Sequence, residues 1–313
     1  MVVFRVLSMD EEMVNRLLHQ PITGQVHSVF SGAINFNDGQ GHLFALVSAQ
    51  SDNAPYSLRV ETPARWSWRS LPIRTGDTVR IEQGLMCIGG SLMITLTGAA
   101  VWSPTLPVLP KDKGTIKTNS LVLRRAVWDF GKTGGMLPAH SDRCGELCSG
   151  AQPVFSEIME TRVRSLKNTL LSGEYDRAVE AGLMLVGLGV GLTPAGDDFL
   201  SGLMVVFHLE GGLFCQELRE FGLRLTERAV GRTTDLSFSI LRGASKGKAR
   251  EAVINLLYAL GQTEPLRITA AAKKVLQIGS TSGTDLALGM YEGLELGLKQ
   301  AGEWGSESCR SPF

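Results

Sequence analysis

Pro104-Thr-Leu-Pro-Val-Leu-Pro-Lys-Asp-Lys-Gly114 (PTLPVLPKDKG) separates two textures in the chain. Its prolines interrupt helical hydrogen bonding and supply no donor to a sheet, and its charged end favours water. On the N-terminal side, Val26–Phe30, Leu43–Val47, Thr78–Ile81 and Leu92–Thr97 are short runs rich in branched or aromatic residues. Such runs predict strands when turn formers bound them. Asp38-Gly39 and Gly89-Gly90 are candidate reversals, and Ser70–Asp77 reads as a strand-edge loop. Glu11–Gln20 carries a helical pattern ahead of these strands.

Beyond the proline segment, stretches at 153–172, 174–187, 197–209, 213–230, 247–260, 264–277 and 284–299 fit buried or amphipathic helices. Their close succession predicts an all-helical domain rather than an alternating parallel sheet. The fold class expected is therefore α+β. Residues 1–108 form a short helix and a β-rich domain, either a barrel or a sandwich. Residues 109–118 form a linker, and residues 119–313 form a helical domain with a ligand-binding cleft. Asn119 and Ser120 are expected to cap a helix beginning near Leu121, with Lys117-Thr118 lining a ligand cleft between the two domains.

Formal charge is zero, from 31 basic and 31 acidic side chains. That balance gives no electrostatic case for nucleic acid or a membrane surface as partner. Asp10, Glu11 and Glu12 interrupt the apolar start too early for a signal peptide, and Ala181–Leu192 is too short to span a bilayer. A soluble, cytoplasmic protein is expected. The five cysteines are odd in number and widely spaced, which argues against a disulfide scaffold. His140, Cys144 and Cys148 lack a fourth ligand or a firm helical frame, so no metal site is assigned. The sequence leaves the cofactor and any cation requirement open. Trp66, Trp68 and Trp102 fall near the proposed strands and read mainly as packing residues.

The chemistry-bearing stretch is Gly187-Leu-Gly-Val-Gly-Leu-Thr-Pro-Ala-Gly-Asp-Asp-Phe-Leu-Ser-Gly202. Gly187, Gly189 and Gly191 permit unusual turns, Thr193 is a candidate cap, and Pro194 suits a helix's first turn. Asp197 and Asp198 then fall where helix amides and dipole favour carboxylates. Packing and capping account for the motif completely. A ligand reading adds backbone amides directed at an oxyanion or phosphate, with one aspartate orienting a donor, accepting a proton or helping to coordinate a cation.

A second stretch, Ile278-Gly-Ser-Thr-Ser-Gly-Thr-Asp-Leu-Ala-Leu-Gly289, also passes from small polar residues into a helix. Ser282 and Asp285 have capping-box spacing. Gly196–Gly202 and Gly283–Gly289 share a Gly-x-Asp-x-x-x-Gly pattern in which Asp198 corresponds to Asp285. Two such helix starts facing one cleft, or two independent caps, both satisfy the pattern. Gly131-Lys-Thr133 lacks the leading glycine of a phosphate loop, because Ala126 stands there. His208 lies too far along an ideal helix to touch Asp197 and reads as structural.

The Gly187–Gly202 passage resembles the signature region of the AllH-like family, and the Gly279–Gly289 turn is similar as well. The resemblance covers most of the chain. Gly187, Gly189, Gly191, Thr193, Gly196, Asp197, Asp198 and Gly202 carry it. It implies a subunit of an oxamate carbamoyltransferase complex, working with other subunits in anaerobic allantoin catabolism. That reaction interconverts oxalurate plus phosphate with oxamate plus carbamoyl phosphate. Physical reasoning then nominates Asp197 and Asp198 as catalytic groups. It nominates Gly189, Gly191, Thr193, Gly196, Ser282, Gly283, Thr284 and Asp285 as ligands to a small anionic metabolite or phosphate. The competing reading is a noncatalytic assembly or metabolite-sensing protein.

Overall fold

Period-two burial builds the N-terminal half. In Thr78–Glu82, Val79 and Ile81 are buried while Thr78, Arg80 and Glu82 face solvent. The structure is a computed structural model and describes residues 2–137, 152–262 and 264–302. The chain divides into two compact units, Met1–Thr105 and Leu106–Phe313.

The first unit contains β1 (Val2–Asp10), α1 (Glu11–His19), β2 (Ile22–Val29), β3 (Ala33–Asn37) and β4 (Leu43–Ser48). It continues through β5 (Ser57–Val60), β6 (Thr78–Glu82), β7 (Leu85–Ile88), β8 (Leu92–Thr95) and β9 (Ala100–Trp102). Strand order is β5-β4-β3-β2-β6-β7-β8-β1, and pairing of β5 with β1 closes the ring. The unit is thus a barrel, which decides the barrel-or-sandwich alternative. Closure depends on β1 serving two neighbours. Val2–Arg5 pair in parallel with β8, whereas Val6, Ser8 and Met9 pair antiparallel with β5 across a register shift. Such a shift turns the strand and removes an open edge. β9 adds beside the end of β1. Ile34, Phe36, Leu46, Leu58, Val79 and Ile94 are among the side chains filling the interior.

Strands β1, β3, β5, β7 and β9 were not among the expected runs. Most are short, and their register depends on partners distant in sequence. Trp68 is fully buried and packs edge-on to Phe4 and Trp66, with ring centroids 5.9 and 6.0 Å away. These two tryptophans are therefore packing residues. Trp68→Ala should cost about 3–5 kcal/mol through the cavity it leaves. Urea denaturation measures this, and a loss below about 1 kcal/mol would contradict the packing.

The second unit is helical in its described residues: α2 (Lys113–Phe130), α3 (Gln152–Leu171), α4 (Tyr175–Leu183), α5 (Ala195–Phe207) and α6 (Gln216–Arg228). α7 (Asp235–Ala244), α8 (Glu251–Leu260), α9 (Pro265–Leu276) and α10 (Ser282–Gln300) follow. α2 begins well before the expected Leu121. The Asp112 carboxylate accepts from the amides of Gly114 and Thr115 at 3.0 and 3.2 Å and starts the helix there. Asn119 and Ser120 are consequently mid-helix residues rather than caps. Asn119 Nδ2 donates to the carbonyls of Leu260 and Gln262, tying α2 to the end of α8.

α7 was not anticipated, because serines interrupt the apolar pattern of Asp235-Leu-Ser-Phe-Ser-Ile-Leu241. The Thr234 hydroxyl caps it by accepting from Ser237 N at 3.1 Å. Among the described residues, no helix is long and apolar enough to cross a membrane. His140, Cys144 and Cys148 lie outside the described residues.

Candidate functional site

Both copies of the Gly-x-Asp-x-x-x-Gly pattern begin helices, and those helices lie against each other. Gly289 of α10 meets Phe199 of α5, Gly202 meets Leu286 and Met290, and Gly293 meets Val206. The contacts advance together along both chains, so α5 and α10 run parallel. A Cβ added to Gly202 would overlap the Leu286 carbonyl oxygen and lie 3.0 Å from Met290 N. A Cβ added to Gly289 would overlap the Phe199 carbonyl oxygen and lie 3.0 Å from Leu203 N. Phe199 and Leu286 hold equivalent places in the repeated pattern, so the contact is reciprocal, as across a local twofold axis. Glycine is required because backbone meets backbone.

Parallel packing places two helix N-termini at one end, where their positive dipole ends favour negative charge. Thr193 Oγ1, just before α5, lies 2.9 Å from Ser282 Oγ, the first residue of α10. Both side chains are half-buried. Beneath them Asp198 is only 5% exposed and Asp285 is fully buried. The Ser282 and Thr193 hydroxyls hydrogen-bond to Asp198, yet its Oδ2 has no partner among the described residues. Burial pushes the Asp198 carboxyl up to about 7, the hydroxyls oppose this, and the charges of Asp285 and Asp197 add to it.

Asp285 is arranged similarly. Its Oδ1 accepts from Met136 N at 2.6 Å, while its Oδ2 has no partner among the described residues. Burial pushes it up to about 7, against hydrogen bonds from Met136 N and Thr281. Gly135 lies directly over this carboxylate, where any side chain would overlap both oxygens. Lys132 N donates to Thr284 Oγ1 at 2.9 Å, and Lys132 Nζ reaches the Gly279 carbonyl at 2.9 Å. The segment from Lys132 to Met136 therefore wraps the start of α10.

Asp197 differs from its neighbour. Its Oδ1 accepts from Gly187 N at 2.8 Å, and its Oδ2 accepts from Ser237 Oγ at 2.7 Å and from Thr233 Oγ1. Both oxygens are thus engaged in fastening α5 to the glycine loop and to the start of α7. One α-helical step, about 100°, separates the two roles.

The expected caps are not formed. Pro194 and Thr281 occupy the cap positions without side-chain cap bonds, while Thr193 and Ser282 pair with each other. The early amides are largely satisfied internally. Gly196 N donates to Leu188 O, Asp197 and Asp198 N to Pro194 O, and Thr284 and Asp285 N to Thr281 O. Among the described residues, the loop amides of Gly189 through Thr193 have no such acceptor. Gly189 (φ 125°) and Gly191 (φ 101°) give this loop its left-handed turns. Gly196 and Gly283 are buried against the carbonyls of Leu185 and Val275, where they permit close packing.

Sequence reading passed over Lys132, Gly135, Met136, Thr233 and Ser237. The run around Lys132 lacks the pattern of a phosphate loop, and the serines of α7 hide its helical period, so no local signal marks these residues. His208 sits at the far end of α5, where its Nε2 donates to Ser245 O at 2.9 Å. Burial lowers its pKa, in keeping with a structural role. Further along α10, buried Glu292 and Glu295 meet Lys167 of α3.

No solved structure matches the chain. Residues 185–294, which contain α5 and the first two thirds of α10, match the family described as oxamate carbamoyltransferase subunit AllH. Residues 5–101, which contain most of the barrel, match the AllH family N-terminal domain. The two matches cover most of the sequence, and the chain belongs to the AllH family.

Proposed function

We propose that this chain is a working subunit of an oxamate carbamoyltransferase complex, and that the paired helix starts bind one of its small anionic reactants. The reaction interconverts oxalurate plus phosphate with oxamate plus carbamoyl phosphate. A phosphate oxygen bonds to the carbamoyl carbon, the bond from that carbon to the oxamate nitrogen breaks, and the nitrogen takes a proton. The carrying observation is the pair Asp198 and Asp285, each buried with one unpartnered oxygen beneath Thr193 and Ser282.

A carboxyl raised to about 7 exchanges protons near neutral pH, which suits Asp198 to proton delivery and, in reverse, proton removal. The Thr193 and Ser282 hydroxyls and the loop amides after Leu188 supply donors for a carboxylate or phosphate oxygen. Gly189 and Gly191 let that loop turn. Thr284 and Asp197 hold the surrounding segments, so their contribution is positional. Correct placement of reactants and fixed donors lowers the barrier to transfer.

A second reading has a specific observation behind it. Val190 is 90% exposed and Leu192 51% exposed on the loop leading to Thr193, which favours contact with another subunit and a supporting role in assembly. Reconstitution decides between them. Purified partner subunits with this chain should carry out phosphate-dependent carbamoyl transfer, and turnover should be lost without it. Full turnover by the partners alone would overturn the working-subunit reading. An intact complex whose activity ignores substitution of Asp198 would favour assembly.

A further inference from the structure

An anion bound at this place meets an electrostatic difficulty. Two aspartate oxygens already lie there unpartnered, and the early amides of both helices bond mainly to their own carbonyls. A phosphate or carboxylate beside two ionised carboxylates is repelled unless something positive lies between them. Among the described residues, neither Asp198 nor Asp285 has an ion-pair partner, although buried charges are ordinarily paired or bound to metal. Lys132 is directed to the Gly279 carbonyl.

The available atoms are all oxygen. Asp198 is held by Ser282 and Thr193, whose hydroxyls are 2.9 Å apart, and the charge of Asp285 is felt at Asp198. Nitrogen and sulfur ligands, which select softer transition metals, are missing from this group of four side chains. Hard divalent cations prefer oxygen, and magnesium is commonly held by one or two carboxylates together with water and an anionic substrate. Threonine and serine hydroxyls serve as magnesium ligands elsewhere.

We propose that Asp198 and Asp285 bind one hard divalent cation of the magnesium class, assisted by the hydroxyls of Thr193 and Ser282, with its remaining positions open to water and to an anionic reactant. The proposal rests on the helix starts being the reactant site. It adds the counter-charge that lets an anion approach two carboxylates. It also gives the two unpartnered oxygens a ligand, and it explains why equivalent aspartates occur in both halves of the repeated pattern. A bound cation would hold both carboxyls ionised, so in the loaded chain Asp198 acts as a ligand and the proton exchange described above belongs to the chain without cation.

Magnesium alone, titrated calorimetrically into the full chain, should show one saturable site, and manganese should report the same site by loss of its free electron-spin signal. Asp198→Asn should weaken either cation by about ten-fold or more, as should Asp285→Asn if it folds. Ser282→Ala gives an independent, milder variant. The cation should also raise the unfolding temperature of the native chain but not of Asp198→Asn. Absence of saturable binding at millimolar cation, or equal affinity in native and Asp198→Asn chains, overturns the proposal.

Inorganic phosphate separates this idea from the functional reading beneath it. Phosphate that binds equally well with chelator present, and is lost in Asp198→Asn, keeps the anion site and rejects the cation. Cation binding lost in Asp198→Asn, in a chain that reconstituted turnover does not require, supports the cation site and rejects the working-subunit reading.

Discussion

Gly289→Ala should destabilise the helical unit by about 3 kcal/mol or more, despite inserting a better helix former. Helix propensity favours alanine over glycine by only about 1 kcal/mol. The new methyl would overlap the Phe199 carbonyl oxygen, so α5 and α10 must separate along their contact. Gly202→Ala should behave alike, because its methyl would overlap the Leu286 carbonyl oxygen. For a unit of this size the loss corresponds to a fall of roughly 6–12 °C in its unfolding temperature. The double variant should cost less than the sum of the singles, because one separation of the helices relieves both overlaps. Calorimetry of the four proteins supplies the comparison. Single losses below about 1 kcal/mol, or strict additivity, would contradict the reciprocal contact. Separation also moves Thr193 away from Ser282, so activity should fall even where the variant remains folded.

Asp197 and Asp198 should respond in opposite ways. Asp197→Ala removes an acceptor shared by Gly187 N, Ser237 Oγ and Thr233 Oγ1. Leaving those donors unpaired should cost about 3–5 kcal/mol. Asp198→Asn removes a carboxyl whose ionisation burial disfavours, raising it from 3.8 to about 7. That stabilisation is fully present below the unfolded pKa and declines as pH rises through the folded pKa, because the folded chain holds its proton longer. The gain for Asp198→Asn in chelator should therefore be absent near pH 3.5, grow with pH, and reach at most about 4 kcal/mol by pH 8.

The same variant should lose about 100-fold or more in reconstituted turnover, as expected when a carboxyl that moves a proton or holds a cation at the reactant is removed. A more stable but inactive protein separates chemistry from folding. Denaturation at several pH values and single-turnover assays measure the two sides. Equal destabilisation by both substitutions, or normal turnover of Asp198→Asn, would remove Asp198 from its assigned role.

The change of texture at Pro104–Gly114 made two kinds of structure legible from sequence, because strand and helix patterns are local and differ in period. Helix boundaries in the second half were read to within a few residues except where an isolated cap decided them, as Asp112 does for α2 and Thr234 for α7. Barrel closure was not legible. It depends on β1 splitting its pairings between β8 and β5, which are remote in sequence.

The candidate site divides along the same line. Sequence alone identified two glycine-and-aspartate helix starts and the correspondence of Asp198 with Asp285, because caps, turns and repeats are written in neighbouring residues. Tertiary structure decided that the helices are parallel, that Gly202 and Gly289 let their backbones meet, and that Thr193 meets Ser282. It also decided which of two adjacent aspartates is fastened and which keeps an unpartnered oxygen. Those distinctions depend on burial and on partners brought from distant segments, which no local pattern specifies.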